Sequence, residues 1–305
     1  MAPDDAVQVV GGNWQIFSIM VNQSGAALNK ETTVTSIDVK SGTGDGESPP
    51  KYSLRAKMTG SDETGVDEYP VAFDDVVVAT PWQFSDIVAG DGTIQHMIDK
   101  IPYVTLHVTL FTSPHRLSPE FFGLAPGSKA PTTVLTTLSP GEEAKPGSAA
   151  AGKVGFYSVS TLSMITNPTT GQQEYTYKIF SPDVVTPDLL SRLLGVKIPE
   201  TFTGSTTPDT QEAISWYHPH VFQSYPVAYP RVTFQDPIVG RGVYYTAGIE
   251  SFISCMETNA LMGKNVARLI VDDITGKTPS GESGQKVDGG ENPKTEFTGM
   301  DMGEL

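Results

Sequence analysis

The stretch Val243-Tyr244-Tyr245-Thr246-Ala247-Gly248-Ile249-Glu250 carries the pattern that decides the fold of this chain. Its first four residues are β-branched or aromatic, which predicts a short strand. Ala247-Gly248 then predicts a turn whose backbone can approach a ligand closely, and a helix is predicted from about Glu250 to Asp273. The amino end of a helix offers N–H groups and a positive dipole to an anionic ligand. Taken alone, the pattern fits an ordinary core helix at least as well.

Two further segments, which we interpret as having a strand–turn–helix or helix–strand character, give this pattern its weight. Gly11–Ile37 contains a glycine turn, apolar residues at helical spacing that end near Gly25, and a β-branched run. Val76–Pro81 is a valine-rich strand that ends in Thr80-Pro81. Together, the three segments predict a ligand site assembled from distant parts of the chain.

The middle of the chain consists of β-rich runs with period-two patterning, separated by Pro/Gly loops. Such runs predict a largely antiparallel sheet, so the predicted fold class is α+β. Thr186-Pro187 begins a short helix that ends at Gly195, with threonine as N-cap and proline at the first helical position. The β-rich runs are Val104–Thr112, Thr132–Thr137, Val154–Met164 and Glu174–Phe180.

Three stretches lack the periodicity of a helix or a strand. We interpret the aromatic-rich segment Ser215–Val232 as a long loop, and Ser139–Gly152 as a Gly/Ala/Pro-rich loop. Residues 276–305 are rich in Gly, Ser and Glu without periodicity, which predicts a disordered tail.

The composition limits the classes of function. The 305-residue chain has 20 Lys+Arg against 35 Asp+Glu, a net charge of −15 that repels phosphate backbones and argues against nucleic acid as a partner. The single cysteine, Cys255, excludes an internal disulfide and a cysteine-based metal cluster, and we predict no metal site. No apolar run reaches the roughly 18 residues of a membrane span. The first residues show no signal-peptide pattern.

Five short motifs, in order along the chain, resemble the prenylcysteine oxidase (prenylcysteine lyase) family. The first, Gly11-Gly12-Asn13-Trp14-Gln15-Ile16-Phe17, is similar to the family's Gly-Gly-Asn-x-x-Ile-Phe segment. The last lies within Tyr245–Ala267 and is similar to the family's closing flavin motif. The likeness covers most of residues 7 to 273, and its other motifs are Val104–Phe122, Phe156-Tyr157-Ser158 and Tyr177–Pro182.

The resemblance implies flavin adenine dinucleotide (FAD) as cofactor and a flavin amine oxidase-like domain beside a mostly antiparallel substrate domain. Residues 1–85 and 240–275 would be the remnant of the flavin-binding domain, and residues 86–239 the substrate domain. The family's strand–GxGxxG–helix unit, which binds the pyrophosphate, does not occur in this sequence, so we expect an incomplete flavin-binding domain. The resemblance places these residues on the cofactor: Gly11, Gly12, Asn13, Trp14, Thr80, Pro81, Gly248, Ile249, Glu250, Met256 and Glu257.

The activity that the resemblance implies is oxidative cleavage of the thioether of prenylcysteine to prenyl aldehyde, cysteine and hydrogen peroxide. Molecular oxygen is the final electron acceptor. A prenyl chain needs an apolar slot. No catalytic base is assigned, although His218 and His220 lie near the aromatic residues. The residues expected to form the slot are Phe121, Phe122, Tyr157, Trp216, Tyr217, Tyr225 and Tyr229.

Two alternatives stay open. The chain is either this enzyme or a non-catalytic prenyl- or lipid-binding fragment or paralogue that has lost its cofactor unit. A flavin amine oxidase acting on a polyamine fits the order of motifs less well. The resemblance also implies a lysosome or vacuole, where the sequon Asn22-Gln23-Ser24 would be glycosylated.

Overall fold

The computed structural model describes residues 7, 9–40, 50–58, 67–143, 147–204, 212–228 and 230–277, without the side chains of 147–150. Most of the predicted tail, residues 278–305, lies outside the described residues. In chain order the helices and strands are α1 (Trp14–Ser24), β1 (Thr32–Lys40), β2 (Lys51–Met58), β3 (Asp67–Glu68), β4 (Val76–Val78), β5 (Val88–Ala89), β6 (Tyr103–Ser113), β7 (Thr133–Leu135), β8 (Ser158–Thr166), β9 (Gln173–Ser181), α2 (Pro187–Leu194), β10 (Trp216–Pro226), β11 (Ile238–Gly240), β12 (Val243–Tyr245) and α3 (Met256–Ile274).

The chain divides into two compact units. Unit 1 comprises Met1–Ile98, Gln235–Gly248 and Met256–Leu305, and unit 2 comprises Asp99–Phe234 and Ile249–Cys255. The sequence-based boundaries, at 85 and 240, differ from these, and no sequence pattern predicts that 249–255 would join unit 2. The roles predicted for the two domains, flavin binding and substrate binding, stay predictions.

Unit 1 contains two small sheets. One has the strand order β3-β2-β1-β5 and the other β11-β12-β4. β12 and β4 run parallel, with Val243 opposite Val76 and Tyr245 opposite Val78. Their β-branched and aromatic side chains build a hydrophobic core together with residues of β1 and β2. The buried residues of this core are Ile37, Tyr52, Val78, Val239, Val243, Tyr245 and Ala247.

Helix α1 ends where the sequence predicts. Gly25 adopts the left-handed conformation (φ 72°) that glycine accepts without strain, which ends the helix. None of the eleven residues of α1 is buried, and Trp14 is 65% exposed. The helix therefore contributes little to the core of unit 1.

The helix predicted to begin at Glu250 begins later. Ala247–Ser251 form a 3₁₀ turn, and α3 starts only at Met256. The prediction of a helix directly after Gly248 was wrong, because the sequence between them belongs to unit 2 rather than to a continuous helix.

Unit 2 is built on a five-stranded sheet with the order β10-β6-β9-β8-β7, and every neighbouring pair is antiparallel. The predicted α+β class and antiparallel middle sheet are thus confirmed. Helix α2 buries its leucines against the sheet, and the Thr186 hydroxyl accepts a hydrogen bond from the Leu189 N–H, as an N-cap does. The buried residues of this core include Phe111, Val159, Tyr177, Ile179, Leu189, Leu190, Leu193 and Leu194.

The predicted aromatic loop Ser215–Val232 is mostly a strand. β10 pairs with β6 from Trp216 to Pro226. Pro219 within this run argued against a strand, because proline cannot donate a ladder hydrogen bond. β10 lies at the edge of the sheet, where a missing N–H on the outer side costs nothing.

The loop predicted at Ser139–Gly152 overlaps a distorted 3₁₀ segment, Gly147–Val154. No helix in the described part of the chain has both the length and the hydrophobicity that crossing a bilayer requires.

Candidate functional site

The two faces of the sheet in unit 2 differ in what they pack against. Successive residues of a strand point to opposite faces. Tyr177 and Ile179 on β9 and Phe111 on β6 point into the core beneath α2. Their neighbours therefore point to the other face, which we call the aromatic face. It carries Trp216, His218, His220, Phe222 and Tyr225 on β10, Leu106, Val108 and Leu110 on β6, and Lys178 and Phe180 on β9.

The rings of β10 form a ladder along the aromatic face. The ring of Trp216 lies 5.8 Å from that of His218 with an interplanar angle of 6°. His218 and His220 follow at 6.4 Å and 4°, and His220 and Phe222 at 5.2 Å and 41°. Side chains two residues apart on one strand lie close enough to stack. The result is a continuous strip of ring surface.

A β-bulge adds a fifth ring to this strip. The pairing of β10 with β6 shifts between Gln223 and Tyr225, so that Tyr225 lies opposite Val104 while Phe222 lies opposite Leu106. Val104 and Leu106 share a face, and Tyr225 therefore shares it with Phe222. Without the bulge, Tyr225 would point to the opposite face.

The aromatic face combines a covered apolar floor with an exposed rim. Leu106 is 2% exposed and Val108 9%, whereas Trp216 is 45%, Phe222 42% and Tyr225 53% exposed. Exposed aromatic rings beside an apolar floor are typical of surfaces that bind apolar ligands. The arrangement can hold an extended hydrocarbon chain along β10.

The structure separates the residues predicted for the substrate slot. Trp216 and Tyr225 lie on the aromatic face. Tyr217 points the other way, packs against the core and contacts Phe202 edge-on at 5.0 Å, and its burial raises the pKa of its phenol. Phe121 and Phe122 also pack against the core.

The other two residues predicted for the slot are Tyr157 and Tyr229. Tyr157 is half-buried, and burial together with the Asp183 carboxylate raises its pKa. Tyr229 lies outside the described residues.

Lys178 was not predicted as a site residue from the sequence. The alternation in Tyr177-Lys178-Ile179-Phe180 is the signal that could have placed its side chain on the face away from the core.

In unit 1, the parallel pair β4 and β12 brings two of the segments predicted for the cofactor together. The Thr246 N–H donates to the Val78 carbonyl at 3.1 Å, and the Trp82 N–H donates to the Tyr245 hydroxyl at 3.3 Å. Thr80-Pro81 and Ala247-Gly248 therefore follow the carboxyl ends of adjacent parallel strands. Open α/β sheets bind nucleotides at this edge.

The other predicted cofactor residues are distributed differently. Gly11, Gly12, Asn13 and Trp14 form an exposed turn held by local bonds, such as Trp14 Nε1 to the Gly11 carbonyl at 3.0 Å. Met256 and Glu257 begin α3 and are exposed. Ile249 and Glu250 belong to unit 2, where the Glu250 carboxylate accepts a hydrogen bond from the Tyr103 hydroxyl.

Of the predicted cofactor residues that directly follow these two strands, Thr80 and Pro81 are accessible and could contact the flavin end of a dinucleotide. Thr80, just after β4, is exposed, whereas Ala247, just after β12, is buried, and a Cβ added to Gly248 would meet Gln235 Cβ at 2.5 Å. Packing against Gln235 therefore requires a glycine at position 248. No described strand runs directly into a long helix that could hold a pyrophosphate.

Comparison with known proteins decides the family. The family model described as Prenylcysteine lyase matches residues 1–282. The chain belongs to the prenylcysteine lyase family. The resemblance stated from the sequence motifs is thus confirmed.

A related protein of Arabidopsis thaliana, named Farnesylcysteine lyase, is 26% identical to this prenylcysteine lyase family member over 263 residues. The alignment covers 86% of this chain and 42% of the relative. The chain thus spans less than half the length of the relative that it matches.

Proposed function

We propose that this protein takes part in the oxidative cleavage of the thioether of prenylcysteine, with unit 2 binding the prenyl chain. Membership of the prenylcysteine lyase family and the similarity to a farnesylcysteine lyase support the substrate class. The observation that carries the proposal is the ring strip from Trp216 to Tyr225, set beside the apolar floor of β6.

The aromatic face supplies what a prenyl chain needs. Its isoprene units are apolar and planar around each double bond, so they stack on flat rings. Burying such a chain against the strip removes apolar area from water, at about 25 cal/mol per Å². The floor residues Leu106 and Val108 are already covered by protein, so binding mainly covers the exposed rings.

When bound, FAD would supply the two-electron oxidation of the prenyl carbon bonded to sulfur, with molecular oxygen as the final acceptor and hydrogen peroxide as its product. Water adds to the oxidised carbon, and collapse of the adduct yields prenyl aldehyde and cysteine. The chain's own part is to orient the thioether and exclude water around the prenyl group. Thr80 and Pro81, which follow the carboxyl end of β4 and are accessible, would contact the flavin end.

The second candidate function is binding of prenyl groups without catalysis. It is favoured by the fact that the aromatic face lies wholly within unit 2, whereas the described part of unit 1 lacks a pyrophosphate cradle. The two candidates share the ligand and differ in the cofactor.

One experiment separates the candidates. The full chain is incubated with FAD and S-farnesyl-cysteine, the visible spectrum of the repurified protein is recorded, and farnesal and peroxide are assayed. Retained flavin with both products supports the enzyme. Binding of S-farnesyl-cysteine without retained flavin or products supports the binding protein. Absence of both binding and turnover contradicts the proposal.

The matched variants are Trp216→Ala and Val184→Ala, since Val184 is 62% exposed in a loop of unit 2. Loss of the Trp216 ring is expected to weaken farnesylcysteine binding about tenfold, because such a ring contributes on the order of 1–3 kcal/mol of apolar contact. Val184→Ala is expected to leave binding unchanged. Equal affinities for the two variants would contradict the role of the aromatic face.

The compartment stays a proposal as well. Routing through the secretory pathway to a lysosome or vacuole would expose Asn22 to glycosylation, and its side chain is exposed in the last turn of α1.

A further inference from the structure

Lys178 is the cation on the aromatic face. It lies on β9 opposite Leu110 of β6 and Ser160 of β8, between the core-facing Tyr177 and Ile179. Its ammonium lies 4.6 Å from the centre of the Phe180 ring, which holds it above the face.

The position of Lys178 is unusual for this chain, which carries 15 more acidic than basic residues. In the described residues, no carboxylate lies within 4.0 Å of the Lys178 ammonium. The acidic residue of β9 on the same face, Glu174, is 1% exposed, and its two oxygens accept hydrogen bonds from Asn167 and Ser215. Lys178 thus meets apolar and neutral side chains, and its charge is available to a ligand.

Lys178 and the ring strip are arranged across one sheet. His218, Leu110 and Lys178 occupy directly opposed positions on β10, β6 and β9. Two strand spacings separate His218 from Lys178, which is roughly 10 Å. Phe222 and Tyr225 lie farther along β10. A ligand with an anionic end at Lys178 can therefore cross β6 at the partly exposed Leu110 and lay an apolar chain along the rings.

Resting on the proposed function, we infer that Lys178 binds the α-carboxylate of prenylcysteine and selects the free acid. A carboxylate paired with the ammonium gains a charge-assisted hydrogen bond, whereas a carboxyl ester or a peptide-linked cysteine carries no negative charge there. The reaction that supplies this substrate must therefore be a hydrolysis that frees the carboxyl group.

The test compares two ligands on four proteins. S-farnesyl-cysteine and its methyl ester are titrated into the parent chain, Lys178→Gln, Lys178→Arg and Lys197→Gln. Lys197 is an exposed lysine of unit 2 outside the aromatic face and serves as the matched control. The parent and Lys197→Gln are expected to bind the acid about tenfold more tightly than the ester.

The Lys178 variants give the deciding result. Lys178→Gln is expected to bind acid and ester equally, with the ester affinity of the parent, and Lys178→Arg to restore the preference for the acid. An undiminished preference in Lys178→Gln, or no preference in the parent, overturns the role of Lys178 while leaving prenyl binding intact. Failure of a folded parent to bind either ligand instead overturns the proposed function on which the inference rests.

Discussion

At the scale of single residues, packing against Gln235 explains why position 248 carries a glycine. The sequence suggested that this glycine lets backbone approach a flavin, but the space for a Cβ is filled by Gln235 within unit 1. The resemblance to a flavin motif identified the position, and only the folded chain shows what occupies the space beside it.

Gly248→Ala is expected to destabilise the protein by about 1–3 kcal/mol, because the new methyl group overpacks against Gln235. The control is Gly263→Ala within α3, where an added Cβ meets nothing within 4 Å. That change is expected to stabilise the protein by about 0.5–1 kcal/mol, since alanine favours a helix. Urea unfolding of both variants checks this, and a neutral Gly248→Ala would refute the packing argument.

Tyr244 provides a prediction for alkaline pH. Its side chain is 3% exposed, and burial, followed by the carboxylates of Asp75 and Asp273, raises its pKa to about 12. A tyrosine in the unfolded chain titrates near pH 10. The folded pKa lies above the unfolded one, so the stabilisation is fully present below about pH 10 and is lost as pH rises through about 12.

Tyr244→Phe cannot ionise and is expected to lose less stability than the parent between about pH 10 and 12. The measurement is thermal unfolding as a function of pH, with the exposed Tyr225→Phe as control. Parallel curves for Tyr244→Phe and the parent above pH 10 would mean that Tyr244 ionises as freely in the folded state as in the unfolded state.

At the scale of secondary-structure elements, α2 is the helix whose sequence signals agree most completely with its observed start and end. The Thr186 hydroxyl caps it, Pro187 begins it, and Gly195 ends it at φ 67°. Thr186→Ala is expected to cost about 1 kcal/mol of stability, and Thr186→Ser to cost little because it keeps the accepting hydroxyl. Equal unfolding midpoints for the alanine and serine variants would show that the cap does not stabilise α2.

Elements that depend on tertiary contacts were predicted less well. The signals of α2 are local, and the helix was predicted within a residue or two. The start of α3 was predicted too early, because no sequence pattern in Ile249–Cys255 indicates that these residues belong to unit 2. β10 was interpreted as an aromatic-rich loop, and the edge position that accommodates Pro219 in a strand cannot be deduced from one segment alone.

The same misinterpretation limited the prediction of the site. Once β10 is recognised as a strand, period two separates Trp216 from Tyr217 and groups Trp216 with His218, His220 and Phe222. The bulge that returns Tyr225 to this face depends on the register with β6, which no local pattern specifies. Aromatic content therefore indicated the right segment, but not which of its residues share a face.

At the scale of the whole molecule, the division of roles between the two units is the central proposal. Unit 2 holds the aromatic face with Lys178, and unit 1 holds the parallel strand ends where a nucleotide cofactor would be expected. Family membership supports the substrate class, whereas the binding of the prenyl chain on the aromatic face is our proposal.

Photoaffinity labelling tests this account most directly. S-farnesyl-cysteine carrying a diazirine at the far end of its prenyl chain is irradiated with the full chain, and the labelled peptides are mapped by mass spectrometry. The account predicts label within Trp216–Pro226 and on the adjoining residues of β6, suppressed by excess unlabelled S-farnesyl-cysteine. Suppressible label confined to unit 1, or to the core-facing segment at Phe121-Phe122, would contradict it.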